Sequence, residues 1–237
     1  MMNLVITGST GIAAATATLA QLRGHRVFTI GLDETADLRV DLRDEADVDR
    51  SITAAWDAMG AVDALFHVAG VSGRRYGDGP LHECTLDGFE ATFKSNSVTA
   101  FLTNRAVIRR WLKASRGGSI VNIGSVLADS PEPSFFSTYA YAGSKGAIVA
   151  MTRAAAAHYA GQGIRLNVVA PALVRTPMSE RAQANTEIME FVRRKQPLSN
   201  GILDAEDIAS AALFLLGEES KYITGQVLTV DAGWSLV

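Results

Sequence analysis

Tyr141 stands four residues before Lys145 in the run Tyr141-Ala142-Gly143-Ser144-Lys145. On a helix that spacing places both side chains on one face. A phenol has an ordinary pKa of about 10, too high for a base at neutral pH. A neighbouring ammonium favours the phenolate, and lowering its pKa by roughly three units stabilises the anion by about 4 kcal/mol. Such a pair is a general acid/base for an alcohol or a carbonyl. The same spacing also describes an ordinary exposed pair on a helix, so the surrounding elements must decide. Tyr139 lies close by but has no lysine four residues on, which favours Tyr141.

The elements that would position this pair alternate between strand and helix. Leu4 to Ile6 is an apolar run that stops at Thr7-Gly8-Ser9-Thr10-Gly11, and a helical pattern follows from Ile12 to about Leu22. In the order strand, glycine turn, helix, backbone amides at the helix N-terminus can hold a diphosphate, helped by the helix dipole. Gly8 and Gly11 allow the tight turn, and Ala13 and Ala14 are small enough for close helix–strand contact. Any tight strand-to-helix turn would use similar residues. Arg26 to Ile30 reads as a second buried strand, followed by Asp33, which either accepts hydrogen bonds from an adenosine ribose or serves the turn. No arginine sits where a 2′-phosphate would want one, so the sequence predicts NAD(H) over NADP(H).

Further strands are predicted to end at Asp41-Leu42, over Val62 to Val68, over Ser119 to Ile123, over Ile164 to Val169 and over Val227 to Val230. A helix is predicted from Asp87 to about Lys113, with Phe89, Phe93, Val98, Phe101 and Leu102 in the core and Asn96 as a polar exception. An asparagine there either satisfies local backbone or anchors a water. Ser72 to Pro80 and Val126 to Thr138 read as loops. Asp204 reads as an N-cap with Asp207 in a capping-box position. Seven strands and about six helices make an α/β chain with a Rossmann-type, doubly wound parallel sheet flanked by helices. The whole of 1–237 reads as one dinucleotide-binding domain, with 176–201 as a substrate loop or lid.

Composition narrows the function classes. Of 237 residues, 48% are hydrophobic and 20% charged, which suits a globular core. A net charge of −3 without a basic run gives no electrostatic case for nucleic acid or an anionic membrane. One cysteine, Cys84, excludes an internal disulfide framework, and His25, His67, His82 and His158 lack metal-ligand spacing. No signal peptide is read, and no apolar run nears the roughly 20 residues that span a bilayer. A cytoplasmic chain is expected.

Taken together, Thr7-Gly8 with Gly11, Asp41-Leu42, Ala69-Gly70, Asn96, Ser125, Tyr141 with Lys145, Asn167, Pro171, Thr176 and Ile223-Thr224-Gly225-Gln226…Val230-Asp231-Ala232-Gly233 resemble the short-chain dehydrogenase/reductase family. The likeness covers nearly the whole chain. It is nearest to the single-domain branch with 3-oxoacyl carrier-protein reductase-like and hydroxysteroid dehydrogenase-like members. The resemblance implies that Tyr141 exchanges a proton with the substrate oxygen and Ser125 hydrogen-bonds that oxygen. It implies that Lys145 holds the nicotinamide ribose and lowers the tyrosine pKa, while Asn96 supports a water relay. Gly8, Ser9, Thr10, Gly11, Ile12, Asp33, Asp41, Leu42, Ala69, Gly70, Pro171, Val174 and Thr176 would join Tyr141 and Lys145 around the cofactor. Asp41 would meet the adenine and Thr176 the carboxamide.

The glycine turn is one residue shorter than usual in that branch, and Gly31 stands where an acidic residue is common. His67-Val68-Ala69-Gly70 replaces Asn-Asn-Ala-Gly. The chemistry expected is interconversion of a secondary alcohol and a ketone by hydride transfer. The alternative is a catalytically weak, dinucleotide-binding regulator. A serine hydrolase using Ser125 is disfavoured, because no Gly-x-Ser-x-Gly elbow surrounds it. Family likeness also implies a homo-oligomer, a tetramer or a dimer.

Overall fold

Leu4, Val5 and Ile6 are fully buried near the middle of a seven-stranded sheet. The computed structural model describes all 237 residues. The strands are β1 (Asn3–Thr7), β2 (Arg26–Gly31), β3 (Leu38–Arg39), β4 (Ala64–His67), β5 (Gly118–Ile123), β6 (Ile164–Pro171) and β7 (Val227–Val230). They lie in the order β3-β2-β1-β4-β5-β6-β7, and every neighbouring pair is parallel. Parallel neighbours need crossovers, supplied mainly by helices. The helices are α1 (Ile12–Leu22), α2 (Glu45–Met59), α3 (Leu86–Phe93), α4 (Thr99–Lys113), α5 (Pro133–Phe136), α6 (Tyr139–Tyr159), α7 (Glu180–Gln183), α8 (Thr186–Lys195) and α9 (Ala205–Leu216).

Both faces of the sheet are covered, which is why its strands read as nearly continuous apolar runs. Ala13 and Ala20 of α1 and Ile208, Ala212 and Leu213 of α9 share one core with Leu4 and Ile6. Val48 and Ile52 of α2, Val107 and Trp111 of α4 and Ala156 of α6 share the opposite core with Val5 and Leu65. This is the doubly wound sheet expected from the sequence. The capping of α9 also agrees: Asp204 and Asp207 form a reciprocal box, with the Asp204 amide donating to Asp207 at 3.1 Å.

Several local expectations are corrected. β3 ends at Arg39, so Asp41 lies beyond the strand. There its carboxylate accepts from the Arg43 amide at 3.0 Å and turns the chain toward α2. The long helix predicted from 87 to 113 is interrupted by a π-helical turn, Lys94–Val98, between α3 and α4. Such a turn inserts a residue and rotates the helix face that follows it. Leu102 is buried as expected, but Phe89, Val98 and Phe101 are 42%, 38% and 47% exposed. Phe89 stacks on the half-buried Phe93, with centroids 4.5 Å apart, so these rings form an outer apolar face. The 126–138 loop contains the single-turn helix α5, and 176–201 holds α7 and α8.

Candidate active site

In an open parallel sheet, ligands bind beyond the carboxyl ends of the strands. Here β1 ends in the glycine turn, β4 in Ala69-Gly70, β5 in Ser125, and β6 in the segment leading to Thr176. The glycine turn fits a dinucleotide's diphosphate. Gly8 and Gly11 have φ of +96° and +52°, which disfavours other residues. Gly11 begins α1 with no side chain capping it and no acid in the first turn, so the helix N-terminus is open to an anion. A Cβ at Gly11 would stand 3.0 Å from the Thr176 side chain, so the segment after β6 lies directly over the turn. Ser9 is buried, Thr10 exposed and Ile12 half-buried.

The shortened turn rests on β2: the Gly8 amide donates to Ile30 O at 2.7 Å, and a Cβ at Gly31 would stand 3.4 Å from Gly8 Cα. The acidic group is displaced to Asp33, whose carboxylate accepts from the Ser9 hydroxyl at 3.4 Å. Asp33 is thereby held beside the glycine turn. Asp41 is engaged elsewhere. Its two oxygens accept from Arg43 Nε at 2.9 and 3.0 Å and from Nη2 at 2.6 Å. That side-chain bonding holds the Asp41 carboxyl below the usual range. Leu42 is buried in the core, which leaves only its backbone to face a ligand. Pro171 closes β6 and Val174 is buried beyond it.

Ser125, Tyr141, Lys145 and Asn96 converge beyond β4 and β5. Ser125 lies close enough to Tyr141 to pull its phenol's pKa down. Lys145 Nζ is 5.7 Å from the Tyr141 ring centroid and donates to Ile123 O at 3.0 Å. Burial pushes Lys145 down to about 7. The sequence expectation that Lys145 depresses the Tyr141 phenol is corrected. Burial raises Tyr141, and only the nearby Ser125 opposes it. An ammonium that itself resists charging in this dry pocket is a weak electrostatic lever.

Asn96 sits in the π-helical turn, and its side chain makes three hydrogen bonds within the protein. Nδ2 donates to Val71 O at 3.1 Å and Ser144 Oγ at 2.9 Å, while Oδ1 accepts from Val71 N at 2.8 Å. Ser144 Oγ in turn donates to Tyr141 O at 2.8 Å, so Asn96 braces the loop after β4 against the helix carrying Tyr141 and Lys145. A Cβ at Gly70 would come within 2.6 Å of Asn96 Oδ1, which restricts that position to glycine.

Two features escaped the sequence reading. Asp78, buried in the loop after β4, accepts from the amides of Ala140 at 2.9 Å and Tyr141 at 2.8 Å. It therefore caps α6, whose own N-cap Thr138 makes no side-chain capping bond. His67 replaces an asparagine common at this position. Its ring contacts the hydroxyls of Thr7 at 3.1 Å, Thr103 at 3.0 Å and Thr99 at 3.4 Å. Thr7 Oγ1 already accepts from Val68 N and Ala69 N, so its proton goes to Nδ1 and the imidazole is neutral. Burial, aided by Lys145, holds His67 down to about 3.

Comparison with known proteins agrees with this geometry. A family model described as enoyl-(acyl carrier protein) reductase matches residues 6–235. The chain is 33% identical to 2-(R)-hydroxypropyl-CoM dehydrogenase of Xanthobacter autotrophicus (strain ATCC BAA-1158 / Py2), covering 98% of each chain. It is 35% identical to momilactone A synthase of Oryza sativa subsp. japonica, covering 98% of this chain and 89% of that one. The crystal structure of levodione reductase superposes with a TM-score of 0.88 at 26% identity, covering 98% and 96% of the two chains. The catalytically weak, dinucleotide-binding regulator is not favoured beside relatives of this kind. The chain belongs to the short-chain dehydrogenase/reductase family, whose members bind a nicotinamide dinucleotide, and is an oxidoreductase that interconverts a secondary alcohol and a ketone.

Proposed function

We propose that Tyr141 is the acid/base of this reaction and that the chain prefers NAD(H). The observation that carries the first part is the gathering of Ser125 and a buried Lys145 beside Tyr141. Gly8 to Ile12, Asp33, Ala69, Gly70 and Thr176 would hold the dinucleotide, whose nicotinamide takes or gives the hydride when bound. Ser125 Oγ donates to the substrate oxygen and orients it toward Tyr141. The Tyr141 hydroxyl removes the alcohol proton in one direction and returns it in the other. Lys145 holds the ribose, while the turn at Asn96 keeps Lys145's helix in register. Most of the rate comes from this positioning and from charge stabilisation in a dry pocket.

NAD(H) preference is supported by Asp33 at the glycine turn, where a carboxylate suits a ribose diol and repels a 2′-phosphate. The nearby cations are engaged: Arg39 approaches Glu34 at 3.9 Å and Arg43 binds Asp41. We further read 1–237 as one domain in which 176–201 closes over the substrate. The exposed apolar face of Leu86, Phe89, Phe101 and Leu112 supports a homo-oligomer, dimer or tetramer. A single free cysteine suits the reducing cytoplasm. No helix is long and apolar enough to cross a membrane.

The test is a fluorescence titration with NADH and NADPH, followed by an alcohol panel read as reduced nicotinamide. Tighter NADH binding and turnover of a secondary alcohol are expected. Binding of neither cofactor would reject the assignment of the glycine turn. Tighter NADPH binding would reject the role of Asp33.

A further inference from the structure

Two guanidinium groups from distant parts of the chain meet at one carbonyl oxygen. Arg74, in the loop after β4, donates Nη2–H to Phe135 O at 3.0 Å. Arg181, on α7, donates Nη2–H to the same oxygen at 3.1 Å. The shared oxygen brings two like charges inside the roughly 8 Å screening length of physiological salt. Arg74 is half-buried and held below its ordinary value, by burial first and by Arg181 next. Neither arginine forms an ion pair. Asp78 acts on Arg74 from a distance, but its oxygens already accept the amides of Ala140 and Tyr141. A neutral carbonyl cannot balance two cations, and one bond to it uses only one of five donors on each guanidinium. Paired forks of this kind match a carboxylate, sulfonate or phosphate.

The location assigns the anion to a substrate. Phe135 lies between Ser125 and Tyr141 in sequence, Arg181 follows Thr176, and the Arg74 loop is tied to the Tyr141 amide through Asp78. Phe135 also contacts Phe191, with centroids 5.3 Å apart, in the apolar cluster that holds Trp234 and Val126. All of these follow β4, β5, β6 or β7. Asp33 and Arg39, where a dinucleotide's adenosine side would lie, follow or belong to β2 and β3, across β1. The adenosine side of the cofactor therefore belongs to the other half of the sheet.

We propose that Arg74 and Arg181 form an anion subsite, and that the substrate is an alcohol or ketone carrying a carboxylate, sulfonate or phosphate away from the reacting carbon. This rests on the alcohol–ketone reading of the same site. Phe135 O holds the two forks apart until the anion enters between them, and the apolar cluster around Phe135 and Phe191 takes the carbon chain.

The test compares 4-oxopentanoate with its methyl ester, the same ketone with and without the charge. Wild-type kcat/KM is expected to favour the anion about tenfold, as for one charge-assisted contact. Arg181→Gln and Arg74→Lys should reduce that preference toward one, mainly through KM, while melting temperatures confirm folding. Equal kcat/KM for the two ketones in the wild type overturns the subsite and leaves the oxidoreductase reading standing. In parallel, calorimetric titration of Tyr141→Phe with 4-oxopentanoate, 3-oxobutane-1-sulfonate and 3-oxobutyl phosphate shows which anion is held. Binding of any one that disappears on adding Arg181→Gln supports the subsite, even if no ketone turns over, in which case the alcohol–ketone reading fails instead. Binding of all three that ignores Arg181, or binding of none, overturns it.

Discussion

The carboxylate of Asp78 accepts the backbone N–H of Tyr141 at 2.8 Å, and its other oxygen accepts that of Ala140 at 2.9 Å. Tyr141 is thus fixed at a helix end capped from 63 positions away in the chain. A negative charge at a helix N-terminus also favours the dipole, so the cap and the charge act together. Asp78→Asn keeps one acceptor and loses the charge. It is expected to lower stability by about 1–2 kcal/mol and to reduce kcat more than the affinity for NADH. Thermal melting and steady-state kinetics measure both, and an unchanged kcat would show that the cap does not position Tyr141.

Tyr141→Phe removes the hydroxyl and keeps the ring. Turnover is expected to fall by at least about a hundredfold, the lower range for loss of a general acid/base, while NADH titration stays close to wild type. Retained turnover would move the proton transfer to another group.

Asp33→Ala is expected to weaken NADH more than NADPH, because only the unmodified ribose depends on its carboxylate. Ser9→Ala, which removes the hydroxyl donating to Asp33 at 3.4 Å, should give a smaller shift in the same direction. Fluorescence titrations of both variants with both cofactors decide it; equal losses for the two cofactors would reject a ribose contact.

Lys145 makes stability depend on pH in a defined window. Its folded-state pKa is about 7 against an ordinary 10.5, so the unfolded chain binds the proton first as pH falls. The native state therefore loses stability from about pH 10.5 down to about 7, with no further loss below. Lys145→Met is expected to be inactive and, at pH 7, more stable by a few kcal/mol. Urea denaturation at pH 7 and at pH 10 should show this advantage shrinking at the higher value. An advantage equal at both would mean that desolvation of the charge is not its origin.

His67 works in a separate window. Its folded pKa is about 3 against 6.5, so the stability of the neutral ring is complete above 6.5 and is lost as pH falls toward 3. His67→Asn should flatten the acid limb of the stability curve. At pH 8 it should cost about 1–3 kcal/mol, the range for disturbing buried hydrogen bonds. An acid limb as steep as that of the wild type would assign the loss to carboxylates instead.

What the sequence made legible was governed by short-range rules. The alternation of buried strands with amphipathic helices, the glycine turn and the Asp204–Asp207 box each depend on residues within a few positions. The turn and the box appear where expected, and the alternation holds apart from the shorter third strand and the break in the 87–113 helix. Asp78 was missed because its partners lie across the fold and nothing in Gly77-Asp78-Gly79 distinguishes a helix cap from a turn. The π-helical turn at Asn96 leaves no mark in an apolar pattern that a regular helix would also satisfy. Phe89 and Phe101 were expected in the core because hydrophobicity shows that a face wants covering without saying which surface covers it. Tyr141 and Lys145 were legible as a pair, but the direction of the Tyr141 shift depends on burial and on where Lys145 Nζ points.

The place of β1 in the sheet bears on how the chain is made. Leu4 of β1 pairs with Val27 of β2 on one side and with Ala64 of β4 on the other. The second edge of β1 thus has no partner until synthesis has passed residue 64, which at 5–20 residues per second leaves it open for roughly 3–12 s. Through that interval Leu4, Val5 and Ile6 present bare strand edge and apolar surface, the combination that recruits a neighbouring chain. Protection then depends on α1 and the early β1–β2 pair, so the first 31 residues, the same ones that build the glycine turn, carry the risk of aggregation through that interval.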